Sequence, residues 1–171
     1  MIKKLAGIYI LLFVIINHSY GQTAGWIHYS TPEKNFSALF PTAPELSEDT
    51  VSLPTGVQTM HYYSVNDTNG TSYIISSIFI KESNVGDTKK YLEASRDGAV
   101  NGAKGEDVKT LKVSVGKTSY IDFGFKAENY YYKMRIYLHD AMQYSVMVYY
   151  PLDKPAPGGI NQFFSSFKLL K

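Results

Sequence analysis

The sequence predicts an α+β domain, a mainly antiparallel β-sheet with helices packed on it, in the order ββββ-α-ββββ-α. Three observations carry this. Segments in which β-branched or aromatic residues alternate with polar ones recur between turn clusters, the pattern of half-buried strands. One segment, starting at Asp87, opens on a helix-capping residue instead. Near the C-terminus, Ile160, Phe163, Phe164 and Phe167 fall at i, i+3, i+4 and i+7, an apolar stripe of helical period.

Taken in order, Trp26 to Ser30 and Phe36 to Phe40 read as two short strands, the second stopped by Pro41 and Pro44. Thr42 to Gly56, rich in Pro, Ser and acidic residues, reads as a loop. Val57–Val65 and Ser72–Ile80 read as a hairpin, with Asn69-Gly70 supplying the positive φ that a tight turn needs. Asp87 caps a helix running to about Ala103, weakened by Gly98 and Gly102, with Tyr91, Leu92, Ala99 and Ala103 toward its buried side. Four strands follow as a meander: Val108 to Val115, Thr118 to Lys126, Tyr130 to His139 and Gln143 to Tyr150. Pro151, Pro155 and Pro157 then interrupt the chain before the closing helix.

Length and charge set the domain count and class. Lys3 and Lys4 precede an apolar run, Leu5 to Ile16, followed by small Ser19 and Gly21, so residues 1–21 read as a secretory signal peptide cut after Gly21. Twelve apolar residues are short for a membrane span. The remainder, residues 24–171, suffices for one domain. Loss of Lys3 and Lys4 brings the 17 cations to 15, equal to the 15 carboxylates. That balance excludes a strongly basic nucleic-acid-binding domain and a polybasic membrane-surface protein. The chain has no cysteine, which excludes disulfides, thiol catalysis and thiolate metal sites. The expectation is an exported bacterial protein of the periplasm or extracellular medium, not inserted in a membrane once the signal is removed.

Trp26 and Tyr29, then Asn35-Phe36-Ser37-Ala38-Leu39-Phe40-Pro41 with Pro44 behind it, resemble the opening of PsbP-like domains, and Phe163-Phe164-Ser165-Ser166-Phe167-Lys168-Leu169 resembles their closing helix. The resemblance spans residues 26–170. It implies the α/β/α sandwich shared by the photosystem extrinsic protein, a Ran-binding transport factor and exported bacterial proteins. It also implies an accessory or binding role and brings no catalytic residue with it.

Motifs with sharper chemistry are absent. Gly116-Lys117-Thr118 ends like a phosphate-binding loop, but Leu111 stands where that motif needs glycine, and a strand follows where it needs a helix. His28, His61 and His139 sit on three different strands without metal-ligand spacing, so no metal and no cofactor are expected. No Gly-x-Ser-x-Gly nucleophile elbow is present.

The tyrosines crowd the last two strands. A hairpin centred between Glu128 and Asn129 sets Asp122 opposite Arg135, Tyr120 opposite Tyr137 and Gly124 opposite Lys133. Matching faces in the next hairpin sets Ser145 beside Tyr137, Met147 beside Arg135 and Tyr149 beside Lys133. The resulting candidate binding surface centres on Arg135, with Tyr137, Lys133, Asp122 and Tyr149 around it, because arginine and tyrosine anchor many interfaces. Against it stands the reading of a mixed sheet face, solvated or covered by the second helix. The function expected is a non-enzymatic binding or accessory module contacting a protein or small ligand through a sheet face or loop edge. The alternative is a hydrolase-like enzyme with dispersed catalytic residues.

Overall fold

A computed structural model describes residues 25–53, 56–80 and 85–170. The segment 1–21, expected to be a signal peptide, lies outside the described residues. Ten strands and two helices follow in the order β1 (Ile27–Ser30), β2 (Phe36–Phe40), β3 (Glu45–Leu53), β4 (Gly56–Asn66), β5 (Ser72–Phe79), α1 (Thr88–Gly102), β6 (Glu106–Ser114), β7 (Ser119–Ala127), β8 (Tyr130–His139), β9 (Met142–Pro151), α2 (Ile160–Ser166) and β10 (Lys168–Leu169). The α+β class holds. Seven strands form one antiparallel sheet in the order β3-β4-β5-β9-β8-β7-β6, and β1-β2-β10 form a small second sheet. Among the described residues no helix is long and apolar enough to cross a membrane.

Two expectations about the element order are corrected. The segment expected as a loop from Thr42 to Gly56 contains β3, paired residue for residue with β4 from Glu45↔Ser64 to Leu53↔Gly56. Its described side chains are exposed except for half-buried Val51, so no packing pressure has imposed an alternating pattern. The chain also returns after α2 to add β10 to β2, through Lys168↔Ser37 and Leu169↔Phe36. The order is therefore five strands, a helix, four strands, a helix and a short strand.

The large sheet is covered differently on its two faces. On one face, α1 lies over β7, β8 and β6, burying Leu92 and Val100 against Phe123, Phe125, Met134 and Ile136. Its start is set by Asp87, whose carboxylate accepts the Lys90 N–H at 2.9 Å. On the other face, α2 and the small sheet bury Phe36, Phe40, Ile160, Phe163, Phe164 and Phe167 against Tyr63, Tyr73, Ile75, Val146 and Val148. The expected helical stripe thus packs on the sheet. The Ser166 hydroxyl also accepts the Leu39 N–H at 2.9 Å, tying α2 to β2.

Tyr63 in this core gives the protein an alkaline limit. Burial pushes its phenol up to about 12, and the Tyr29, Glu33, Glu48 and Tyr144 charges add to the effect. The unfolded chain releases that proton near pH 10, two units earlier than the folded one. Tyr63 therefore contributes fully below pH 10, and its contribution is lost as pH rises through about 12. The urea midpoint is expected to fall across this window, with a shallower slope in Tyr63→Phe. A midpoint that stays constant across the window contradicts the burial of this phenol.

Candidate functional site

The β7–β8 register is the expected one: Asp122↔Arg135, Tyr120↔Tyr137 and Gly124↔Lys133. The β8–β9 register is shifted by one residue, with Tyr137↔Tyr144, Arg135↔Val146 and Lys133↔Val148. Asp140 and Ala141 form a two-residue turn with φ of 46° and 59°, bringing His139 opposite Met142. A one-residue shift moves every β9 side chain to the opposite face. Tyr149 consequently sits across the sheet from Arg135, its ring stacked on Tyr132 at 5.2 Å and meeting Tyr130 edge-on at 5.5 Å.

The other four expected residues stay together, wedged beneath α2. Arg135 Nε donates to Asp122 Oδ2 at 3.2 Å, its Nη2 donates to the same oxygen, and Nη1 donates to the Tyr137 hydroxyl at 3.3 Å. The guanidinium lies 5.1 Å from the Tyr120 ring centre and 5.7 Å from that of Phe164. Burial works against its charge, but the bonds to Asp122 and Tyr137 outweigh that, so its pKa is raised. Lys133 lies over Phe164 at 4.9 Å, and Tyr137 stacks on Phe167 at 4.9 Å. Asp122 and Tyr137 are buried, 6% and 8% exposed. The five residues therefore do not form one exposed surface. The burial follows from Phe164 and Phe167, which cover this face.

The histidines remain apart. His28 is exposed on β1, His61 Nδ1 lies 3.0 Å from Glu48, and His139 Nε2 lies 3.2 Å from Asp140 at the β8–β9 turn. Among the described residues no group of three or more His, Asp or Glu side chains is placed to hold a metal. Gly116 and Lys117 lie in the turn before β7, and the Ser119 hydroxyl there is held by the Gly116 backbone.

A different site lies on the α1 face. Since α1 packs mainly over β6, β7 and β8 and touches β9 through Gln143, that face is less covered over β5, β4 and β3. Between the helix and this more open half runs a groove of about 560 Å³. Its floor is made by Val51, Met60, Tyr62, Ile74, Ser76, Met134, Ile136, Gln143, Ser145 and Met147, and its wall by Ser95, Gly98 and Ala99. The strand registers align these floor residues in rows: Met60 and Gln143, on either side of buried Ile78; Tyr62, Ser76, Ser145 and Ile136; Ile74, Met147 and Met134. Across five strands, Val51 to Met134 spans roughly 19 Å at the usual strand spacing.

The groove lining contains no charged residue. Small Gly98 and Ala99 keep the helix side open, and a Cβ at Gly98 would meet nothing within 4 Å. Gln143 fastens the helix to the floor, its Oε1 accepting the Tyr91 hydroxyl at 2.8 Å and the Ser95 hydroxyl at 3.2 Å. Ser76 on the floor is only 8% exposed. The sequence reading missed this site because its residues come from five strands and a helix without local spacing. One available signal is that β3, β4, β5 and β9 contain no lysine or arginine.

No family model matches the chain, and no curated protein matches it.

Proposed function

We propose that this protein is an exported binding or accessory module of the PsbP-like type, and that it holds a ligand with an apolar, uncharged body in the groove between α1 and the open half of the large sheet. The single observation behind this is the groove itself. It has the volume of a small-molecule site, about 560 Å³, with an uncharged lining that is mostly apolar and a few polar groups from Ser76, Ser95, Gln143 and Ser145. Met60, Met134 and Met147 give that lining polarisable side chains that adapt to irregular apolar shapes. The PsbP-like part rests on the Trp26–Pro44 and Phe163–Leu169 patterns, and helices on both faces of an antiparallel sheet are in keeping with it. A hydrolase-like enzyme would draw on His61 with Glu48 or on His139 with Asp140, and all four lie outside the groove lining.

Nile red, a neutral apolar dye, tests the reading. Saturable fluorescence enhancement is expected with the protein, weakened at least tenfold in Gly98→Trp, whose indole grows into the open space beside the helix. Replacing a glycine in a helix interior favours the helix by up to about 1 kcal/mol, so the variant should fold. Met147→Glu, which puts a charge on the floor, should weaken the dye similarly. Dye binding that is absent, or unchanged in both variants, overturns the proposal.

A further inference from the structure

The polar groups of the groove are gathered on one part of its lining. Ser76 on β5 stands directly opposite Ser145 on β9, and Gln143 precedes Ser145 by two residues on the same face of β9. Ser95 on the helix wall donates to Gln143. Two residues beyond Ser145 the floor turns apolar: Ile74 stands opposite Met147, and Met134 continues that row on β8. Along β9 the floor therefore changes from amide to hydroxyl to thioether, at Gln143, Ser145 and Met147, in steps of roughly 7 Å. Helix α1 follows the same order, with Ser95 at the polar end and Gly98 and Ala99 one turn later.

Gln143 sets the direction of the hydrogen bonds available to a ligand. Its Oε1 already accepts the Tyr91 hydroxyl at 2.8 Å and the Ser95 hydroxyl at 3.2 Å, so its side chain has the two N–H donors of Nε2 left to offer. The Ser76 and Ser145 hydroxyls are able to donate as well. A pure hydrocarbon seated here strips water from these groups and returns no hydrogen bond. An anion loses its own hydration and meets no cation in the lining. Resting on the groove reading above, we infer that the ligand is a neutral apolar molecule with a carbonyl acceptor, as in a ketone, ester or amide. Its carbonyl lies over Gln143, Ser145 and Ser76, and its apolar body over Met147, Ile74 and Met134.

The test is displacement of Nile red at pH 8 by three compounds of nearly one shape. These are 2-acetylnaphthalene, a ketone; 2-ethylnaphthalene, in which a methylene replaces the carbonyl; and 2-naphthoate, an anion. Half-displacement concentrations are corrected for the dye's own affinity in each variant. In Ser76→Ala/Ser145→Ala the ketone is expected to need about fivefold more than in wild type, the loss of one net hydrogen bond, while the ethyl compound stays unchanged. Gln143→Leu should weaken the ketone by a similar factor relative to the ethyl compound, a ratio that cancels any loosening of α1 after the Tyr91 and Ser95 bonds are lost. The naphthoate is expected to need at least about tenfold more than the ketone in wild type. A ketone that loses no more than the ethyl compound in both variants overturns the inference, as does a naphthoate that binds as tightly as the ketone. Failure of Nile red to bind, or insensitivity to both Gly98→Trp and Met147→Glu, overturns the groove reading and this inference with it.

Discussion

Phe163→Ala is expected to lower the stability of the protein by about 3–5 kcal/mol, the range for truncating a fully buried phenylalanine. The Phe163 side chain is 0% exposed and meets Phe40 at 5.2 Å, Tyr73 at 5.4 Å and Phe164 at 6.0 Å between ring centres. These partners belong to the small sheet, the large sheet and α2, so one truncation loosens three elements at the point where they meet. The surrounding rings are themselves held, Phe36 by Tyr63, Tyr144 and Phe167, and Tyr73 by Trp26, which limits how far the cavity collapses. For a chain of this size the loss corresponds to a melting temperature lower by roughly 10 °C. The neighbouring exposed Ser165→Ala serves as the control and should stay within about 0.5 kcal/mol of wild type. A Phe163→Ala cost below about 1 kcal/mol would mean that α2 does not seal this core.

What the sequence made legible follows from where packing acts on both sides of an element. The stripe from Ile160 to Phe167 and strand β7 are pressed between layers, so their pattern survives in the residues. The β4–β5 turn is legible for a local reason: Gly70 holds φ of 82°, and Asp67 Oδ1 accepts the Asn69 and Thr71 N–H groups at 2.8 and 2.9 Å. Strand β3 had no such imprint, being exposed on both faces. Its three carboxylates, Glu45, Glu48 and Asp49, suit a free edge that must not pair with another chain.

The candidate surface failed at a single turn. Asp140-Ala141 takes two left-handed residues in succession without a glycine, which residue identities do not announce, and the resulting one-residue shift carried Tyr149 to the other face. The row Tyr131, Lys133, Arg135, Tyr137 and His139 reads in sequence as a mixed face, solvated or covered by the second helix, and the covered form is the one found at Lys133, Arg135 and Tyr137. Its polar ends sit among aromatic rings: Arg135 over Tyr120 and Phe164, and Lys133 over Phe164. The groove was invisible for the converse reason. Met134 and Ile136 look like ordinary core, and only the short reach of α1 across the sheet leaves Met147, Ile74 and Met60 beside them uncovered.

The Asp122–Arg135 pair separates a structural role from a binding role. Asp122→Ala is expected to cost about 2–3 kcal/mol, somewhat under the range for breaking a fully buried pair, because the Arg135 guanidinium keeps some contact with water. Arg135 donates two of its N–H groups to Asp122 Oδ2, and removing that oxygen leaves a cation among Tyr120, Tyr137 and Phe164 with only the Tyr137 hydroxyl as acceptor. Among the described residues Asp122 Oδ1 is buried without a partner, so the carboxylate is retained at a cost that the arginine must offset. If the two groups serve mainly each other, Asp122→Ala/Arg135→Met should be less destabilised than the sum of the single variants. The coupling in urea denaturation should be about 1–2 kcal/mol, since methionine fills the space between the rings without a charge to satisfy. Nile red binding should be unchanged in all three variants at a temperature where each is folded, because the pair lies beneath α2 on the face opposite the groove. Additive losses would show that the pair is not coupled, and a dye affinity that falls with Arg135→Met would return this arginine to the binding site.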